Sequence, residues 1–490
     1  MTNSNTTKGE GSGFREYVFP IAVVIVLLIS VFTDLYRQLS ITLFVMTILV
    51  VLDRLGKGIV LRELIGLYSL FVCLVMPTIG YTYYTRENHL AKLWMRYMPI
   101  AEEKYFTFAF PAEALFLLAI CWPITTKYVS DEGPLLQAAL DRCKKLLPDM
   151  KKVSMYLISI GFLSMISAPY LPGFLQFIGT LVFWSAFAGM LYLYFTPIFK
   201  RKKLILIGFA SLIFLSSVQN GMFTLVAYMG ITIFSFFFLG RKTYFLKKLG
   251  IFVLGCAFLL VLQATKGNYR KYIWGKGYED NRAALFVSLF IEQMGDFSGY
   301  FSVDEFFPFY YRTNQGFNVS LVMRRFPNVT EYDYGKNLSL SVASALVPRL
   351  LWPDKPEAGG KFNMKYYTGI KLSEGWSTNV GPLGEAYGSF GPLGGIIFMF
   401  FLGGFIRWAY KRVFVLARKT PLLIFWIPVI FYQVTYSAES DTLQILNSVV
   451  KSSFFIWMVI KILPICFGIV RRKTQRDNLQ VIENPLPVQG

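Results

Sequence analysis

The chain has 490 residues and a formal net charge of +20, with 54% hydrophobic and only 16% charged residues, against about 25% charged in an ordinary soluble domain. At a mean hydropathy of +0.48 it cannot wrap soluble domains in a wettable surface, and intrinsic disorder is excluded because disorder needs low hydrophobicity. One histidine and five cysteines without a CxxC spacing exclude a His-rich metal centre and argue against a disulfide framework.

The pattern predicts an all-α polytopic integral membrane protein. A span needs roughly 20 apolar residues, and twelve stretches answer to that description, the second of them short: 17–33, 39–52, 64–82, 105–126, 153–169, 172–195, 204–218, 221–239, 249–265, 389–408, 421–437 and 453–470. They divide the chain into a tail of residues 1–16, nine spans over 17–265, a long segment of 266–388, three spans over 389–470 and a tail of 471–490. Residues 153–199 and 204–240 carry no charge at all. Pro169 and Pro172-Gly173 break the first of these stretches, and Gln219-Asn220-Gly221 breaks the second. The first apolar run lacks a polar cleavage region and reads as a retained signal anchor.

Lys and Arg fix the orientation, because they collect in short cytosolic loops. With the N-terminus inside, the inner segments hold 28 basic and 10 acidic residues, and the short outer loops 5 and 6. The expectation is therefore N-in/C-in. The inner stretch 134–152 reads as an interfacial helix whose basic face meets anionic headgroups. The excess charge is a topology signal, not that of a nucleic-acid partner.

Along the chain, polar residues stand out where the bilayer makes them costly. His89 lies in the outer loop Thr85-Arg86-Glu87-Asn88-His89 and is a candidate base or a plain loop residue. Glu113, within Phe110-Pro111-Ala112-Glu113-Ala114, needs a buried partner such as an outer arginine. It would either position a substrate-binding cation or form a structural ion pair. Lys451 and Lys461 in the last helix can snorkel or line a cavity.

The 266–388 segment holds 14 basic and 12 acidic residues and no cysteine. It is too long to be an unstructured connection and rich in Tyr, Phe and Trp. It reads as a folded, mainly helical outer cap, with amphipathic stretches at 283–294 and 338–351. Its cations Lys266, Arg270, Lys271, Arg282, Arg312, Arg324 and Arg325 are candidate anion ligands among plain surface charges.

Two stretches of the cap carry chemistry. In Val347-Pro348-Arg349-Leu350-Leu351-Trp352-Pro353-Asp354-Lys355-Pro356, three prolines stiffen the backbone around one Arg, one Trp and one Lys. The Arg fork suits a diphosphate, the Lys supplies a point charge, and Trp offers a flat face for a sugar ring. A rigid turn with solvated cations fits the same residues. In Gly381-Pro382-Leu383-Gly384-Glu385-Ala386-Tyr387-Gly388-Ser389-Phe390-Gly391-Pro392-Leu393-Gly394-Gly395, glycines allow tight turns just ahead of the tenth span. Glu385 stands alone there, where desolvation favours an acid or base role. Pairing with a nearby Arg is the structural alternative.

The Pro-Arg-x-x-Trp-Pro-x-Lys-Pro run at 348–356 and the Gly-Glu-x-Tyr-x-x-Phe-Gly-x-x-Gly run at 384–394 resemble the bacterial O-antigen or oligosaccharide repeat-unit polymerases, the Wzy-type family. Many spans with one dominant late outer loop agree with this. The resemblance implies a metal-independent, GT-C-like glycosyltransferase of the bacterial inner (plasma) membrane, without a cofactor. It would move a growing glycan from undecaprenyl diphosphate to an incoming undecaprenyl-diphosphate-linked repeat unit on the outer face, in company with a chain-length regulator. Carried over, Arg349 and Lys355 would hold the leaving diphosphate. Glu385 would act as acid/base or organise those cations. Trp352, Tyr387, Arg270, Arg282, Arg324 and Arg325 are expected to bind substrate, with Glu113 and His89 as further candidates.

Two other readings compete. A flippase or transporter for lipid-linked glycans would line a central cavity with charge and keep its loops short. An O-antigen ligase would place a histidine in the large loop, which here has none.

Overall fold

The computed structural model describes residues 12–124, 132–197, 199–221, 223–241, 243–275, 280–295, 299, 302–347, 351–352, 354, 359–373 and 378–469. These residues form helices and no strand. Backbone groups in hydrocarbon must be bonded within their own segment, which leaves helices as the solution for a chain of this composition. Among the described residues, nine helices are long and apolar enough to cross a membrane: Tyr36–Arg54, Leu61–Tyr83, Glu102–Cys121, Leu175–Phe195, Lys202–Asn220, Phe245–Ile273, Gly381–Ala417, Pro421–Glu439 and Thr442–Ile462. Glu16–Phe32 and Thr224–Phe237 are shorter apolar helices, and Lys151–Ser167 accounts for the remaining predicted stretch.

Three boundaries differ from expectation. The Gly381–Ala417 helix begins at Gly381, so the glycine-rich run is its first three turns and not a loop. Gly391, at φ 70°, kinks it ahead of Pro392. The last helix starts at Thr442, not near 453, because Asp441 caps it by accepting from Gln444 N at 2.5 Å. The helix beginning at Phe245 continues to Arg270 rather than stopping near 265.

Small residues set the closest helix approaches, as expected where lipid gives helices no hydrophobic reason to associate. The Lys151–Ser167 and Gly173–Phe195 helices run side by side. A β-carbon on Gly189 would come within 2.9 Å of Leu157 Cβ. Ser154 and Ser164 of the first helix donate to the Gly189 and Gly179 carbonyls of the second, each at 2.7 Å. The Gly381–Ala417 helix packs along Glu102–Cys121, and Gly403 lets it approach the Phe116 carbonyl. By contrast, Lys202–Asn220 and Phe245–Arg270 turn apolar side chains outward; Ile207 is 64% and Leu254 69% exposed.

The described residues between Phe245–Arg270 and Gly381–Ala417 form a helical cap packed against the long helices. Arg282–Gly295 lies against Phe245–Arg270 and Lys202–Asn220, through Phe286 on Tyr269 and Phe214. Gln315–Arg325 is nearly all buried, wedged between Gly381–Ala417 and Leu61–Tyr83. Lys336–Leu346 rests on the last helix. Glu132–Leu146, at the other end, is anchored as well as amphipathic: Leu136, Ala139, Leu140 and Cys143 are buried, and it packs on Pro421–Trp426.

Candidate functional site

Glu385 sits one turn into its helix and is only 1% exposed. Its Oε1 accepts from Asn363 Nδ2 at 2.6 Å. Its Oε2 accepts from the Thr442 backbone N–H at 2.8 Å and the Thr442 hydroxyl at 2.5 Å. Among the described residues no Lys or Arg forms an ion pair with it, so the expected arginine partner is replaced by neutral donors. The carboxylate lies at the N-terminus of the Thr442–Ile462 helix, where unpaired N–H groups and the helix dipole favour an anion.

A second carboxylate joins the first. Asp441, also 1% exposed, accepts from Gly359 N at 2.8 Å and Asn379 Nδ2 at 3.1 Å through the oxygen not used for capping. Asn363 spans the two, donating to Glu385 and, at 3.3 Å, to Asn379 Oδ1. The Asn379 carbonyl accepts from Gln315 Nε2 at 2.8 Å and Asn318 Nδ2 at 3.0 Å. Four segments distant in sequence thus meet at one buried polar cluster. Burial pushes the Asp441 carboxyl above its ordinary range.

One turn beyond Glu385, Ser389 lies 3.1 Å from the Tyr367 hydroxyl, which also accepts from Asn337 Nδ2 at 3.0 Å. Gly388 leaves room for that ring; a β-carbon would lie 2.5 Å from Tyr367 Cδ1. The neighbouring Tyr366 donates to Asp333 at 3.1 Å. Burial and that carboxylate push its phenol up to about 12.

Cations gather beside this cluster. Glu439, two residues before Asp441, accepts from the Tyr68 hydroxyl at 2.5 Å and pairs with Arg312 at 3.7 Å. Lys266 is within electrostatic reach of Arg270, Arg312 and Glu439. Arg270 Nε donates to the Gly221 carbonyl at 2.8 Å, and Arg282 Nη1 to the Gln219 carbonyl at 3.2 Å. These four cations therefore collect where the Lys202–Asn220 and Phe245–Arg270 helices end. The short segment 434–442 carries Glu439 toward them and Asp441-Thr442 toward Glu385.

Other expected site residues fall elsewhere. Tyr387 is 4% exposed and packs edge-on to Phe108 at 4.8 Å, a core position and not a face for a sugar. Arg324 is exposed, while Arg325 is half-buried against Gly369 with its Nε lacking a hydrogen-bond partner. Trp352 is half-buried. Arg349 and Lys355 lie outside the described residues. Lys271 and His89 are exposed, His89 opening the short His89–Leu93 helix behind its Asn88 cap. Among the described residues Glu113 has no arginine partner: Ser69 donates to its Oε2 at 2.7 Å, and its Oε1 has no hydrogen-bond partner there. It faces a widened turn, 71–75, of the Leu61–Tyr83 helix, where the Cys73 carbonyl accepts from the Tyr105 hydroxyl at 2.7 Å.

Sequence reasoning missed Asp441, Thr442, Asn363 and Asn379. The one local signal was the Ser440-Asp441-Thr442 start of an apolar run, an N-cap pattern. It also missed a buried ion network at the opposite end. Arg62, fully buried, pairs with Glu132 at 2.7 Å and donates to the Ile120 and Trp122 carbonyls. Arg54 pairs with Glu63, and Tyr410 donates to Glu132 at 3.0 Å beneath the Arg62 guanidinium. Among the described residues, no three His, Cys, Asp or Glu side chains are grouped to hold a metal ion.

A family model described as "Domain of unknown function (DUF8712)" matches residues 132–472, more than half of the chain and all of the cluster around Glu385. No curated protein and no solved structure matches.

Proposed function

We propose that this chain, which belongs to the DUF8712 family, is a repeat-unit polymerase. It would transfer a growing glycan from undecaprenyl diphosphate to an undecaprenyl-diphosphate-linked repeat unit. In this reading twelve helices span a bacterial inner membrane N-in/C-in, and the cap stands on the outer face. A chain-length regulator is the expected protein partner.

The observation that carries the reading is the 434–442 segment. It joins a pair of buried carboxylates, Glu385 and Asp441, to the cations Lys266 and Arg312 through Glu439, with Arg270 near both cations. Transfer from a diphosphate forms a bond between an acceptor hydroxyl and the anomeric carbon and breaks the bond to the phosphate oxygen. Negative charge grows on that oxygen, and preorganised cations in a water-poor site stabilise it most. Arg349 and Lys355 keep the leaving-group role that the sequence resemblance implies.

Glu385 is better suited to organise than to transfer protons, because both of its oxygens are already taken by donors from Asn363 and Thr442. It fixes Thr442 and through it Glu439, which sets Arg312. The test is a deletion strain with its lipid-linked intermediates extracted. Glycans stopped at one repeat unit on the outer leaflet are expected. Long chains retained on the lipid carrier would indicate a ligase, and units held on the cytosolic leaflet a flippase; either result refutes the polymerase.

A further inference from the structure

A cavity of about 870 Å³ lies between Lys202–Asn220, Thr224–Phe237 and Phe245–Arg270. Among its lining side chains Ser211 alone carries an oxygen and none carries a nitrogen; Phe214, Met229, Phe234, Phe252 and Leu259 are typical. Water finds too few partners in such a space, and a small polar ligand finds nothing to orient it. The volume is near the top of the range of about 300–1,000 Å³ for ligand pockets, which suits a long chain. The cavity also opens sideways: of its lining residues, Leu215 is 46% and Phe258 and Leu259 are each 40% exposed. Gly230 and Gly255 line it, and a β-carbon on either would meet nothing within 4 Å. These glycines therefore do not serve close helix packing; they enlarge the space.

The cavity has a charged end. On Phe245–Arg270, Phe252, Cys256, Leu259, Gln263, Lys266 and Arg270 follow in steps of three and four residues and so share one face. Lys266 stands about 10 Å along the axis from Leu259, at roughly 1.5 Å per residue. Arg270 and Lys266 are within electrostatic reach of Arg312, and Arg270 also ties the ends of two cavity helices together through Gly221. The helix face that lines the apolar cavity as far as Leu259 thus continues to Lys266 and Arg270, beside Arg312.

We propose that this groove holds the hydrocarbon tail of a lipid whose phosphate or diphosphate headgroup is bound by Lys266, Arg270 and Arg312. The spacing of tail and headgroup sites and the complementary charge select an anionic amphiphile over a soluble phosphate or a neutral lipid. The glycan attached to that lipid rests on the polymerase reading; the tail and headgroup site does not.

The test uses the purified full chain in nanodiscs of zwitterionic lipid and a photoreactive long-chain isoprenyl diphosphate as probe. Crosslinks are expected on the Lys202–Asn220 and Phe245–Arg270 helices. Gly255→Phe and Gly230→Phe, which plug the groove from two different helices, should each cut labelling at least tenfold, as should Lys266→Gln with Arg312→Gln. Gly208→Phe, at a glycine that lies outside the lining and whose β-carbon also meets nothing, should label as wild type and controls for bulk. Unchanged labelling in both plugged variants, with unchanged melting, overturns the proposal. So does equal competition by a neutral diacylglycerol, which would show that the headgroup site contributes nothing. If plugging abolishes labelling while the deletion strain still makes long polymer, the polymerase reading fails and the lipid site stands.

Discussion

Replacing Glu385 by Gln separates an organising carboxylate from a proton-transferring one. In the wild type, three donors converge on two acceptor oxygens. Glutamine keeps one acceptor, which can serve both donors of Thr442. Its amide N–H2 then faces Asn363 Nδ2, donor against donor. Asn363 can turn its own oxygen inward only by giving up its bond to Asn379 Oδ1. One buried donor left unpaired costs about 1–3 kcal/mol, offset in part because a buried charge is removed. Glu385→Ala leaves all three donors without a partner and opens a cavity, so it should cost about 3 kcal/mol or more. The assay pairs thermal unfolding in detergent with in-vitro polymerisation from a defined lipid-linked repeat unit across pH. Glu385→Gln should unfold slightly earlier, polymerise at a reduced rate and keep the shape of the wild-type pH profile. Wild-type stability together with lost activity and a lost limb of that profile would refute the organising role and make Glu385 the proton carrier.

Three further outcomes follow from the same contacts. Burial raises the Asp441 carboxyl, so the folded chain binds that proton more tightly than the unfolded chain; stability should rise as pH falls through the raised folded value toward the ordinary carboxylate range, and Asp441→Asn should flatten that slope in melts taken across pH. Arg62→Leu should cost about 3–5 kcal/mol, because it strands Glu132 without its buried partner, and Arg62→Leu with Glu132→Leu should recover most of the loss in chemical denaturation; a double variant as unstable as the single one would place the cost in packing. Gly403→Ile should push Gly381–Ala417 off Glu102–Cys121 at the Phe116 carbonyl and lower the melting temperature, while Gly404→Ile, whose β-carbon meets nothing, should not.

The helical body was legible because hydropathy is a local property. Each of the twelve apolar stretches coincides with a helix, and the boundary errors fall where another local signal overrode it. Glycines 381–394 suggested turns, but inside a packed bundle the same glycines admit neighbours, Tyr367 at Gly388 and Val322 at Gly384. Glu385 was legible as the lone carboxylate in an apolar run. Its partners were not, since Thr442 and Asp441 are separated from it by more than fifty residues and sit in a break too short to look like anything but a turn. Arg62 was hidden for a different reason: a cation beside a cytosolic loop reads as a topology charge, and only tertiary contact shows it to be fully buried.

The two ends of the bundle handle charge in opposite ways, and the difference bears on function. At the Arg62 end, buried cations and carboxylates pair directly, Arg62 with Glu132 and Arg54 with Glu63. At the cap end the signs are kept apart. Glu385 and Asp441 are held by amides, a hydroxyl and backbone N–H groups, while Lys266 and Arg312 share Glu439 and Arg270 lies near both cations. A fold selected for stability alone would gain by letting such charges meet, because an unpaired charge near low dielectric is costly. Holding the carboxylates on neutral donors keeps them from collapsing onto the cations, and that leaves positive potential where two apolar helices end. An anionic group arriving there would add a counter-charge beside Glu439, which pairs with Arg312.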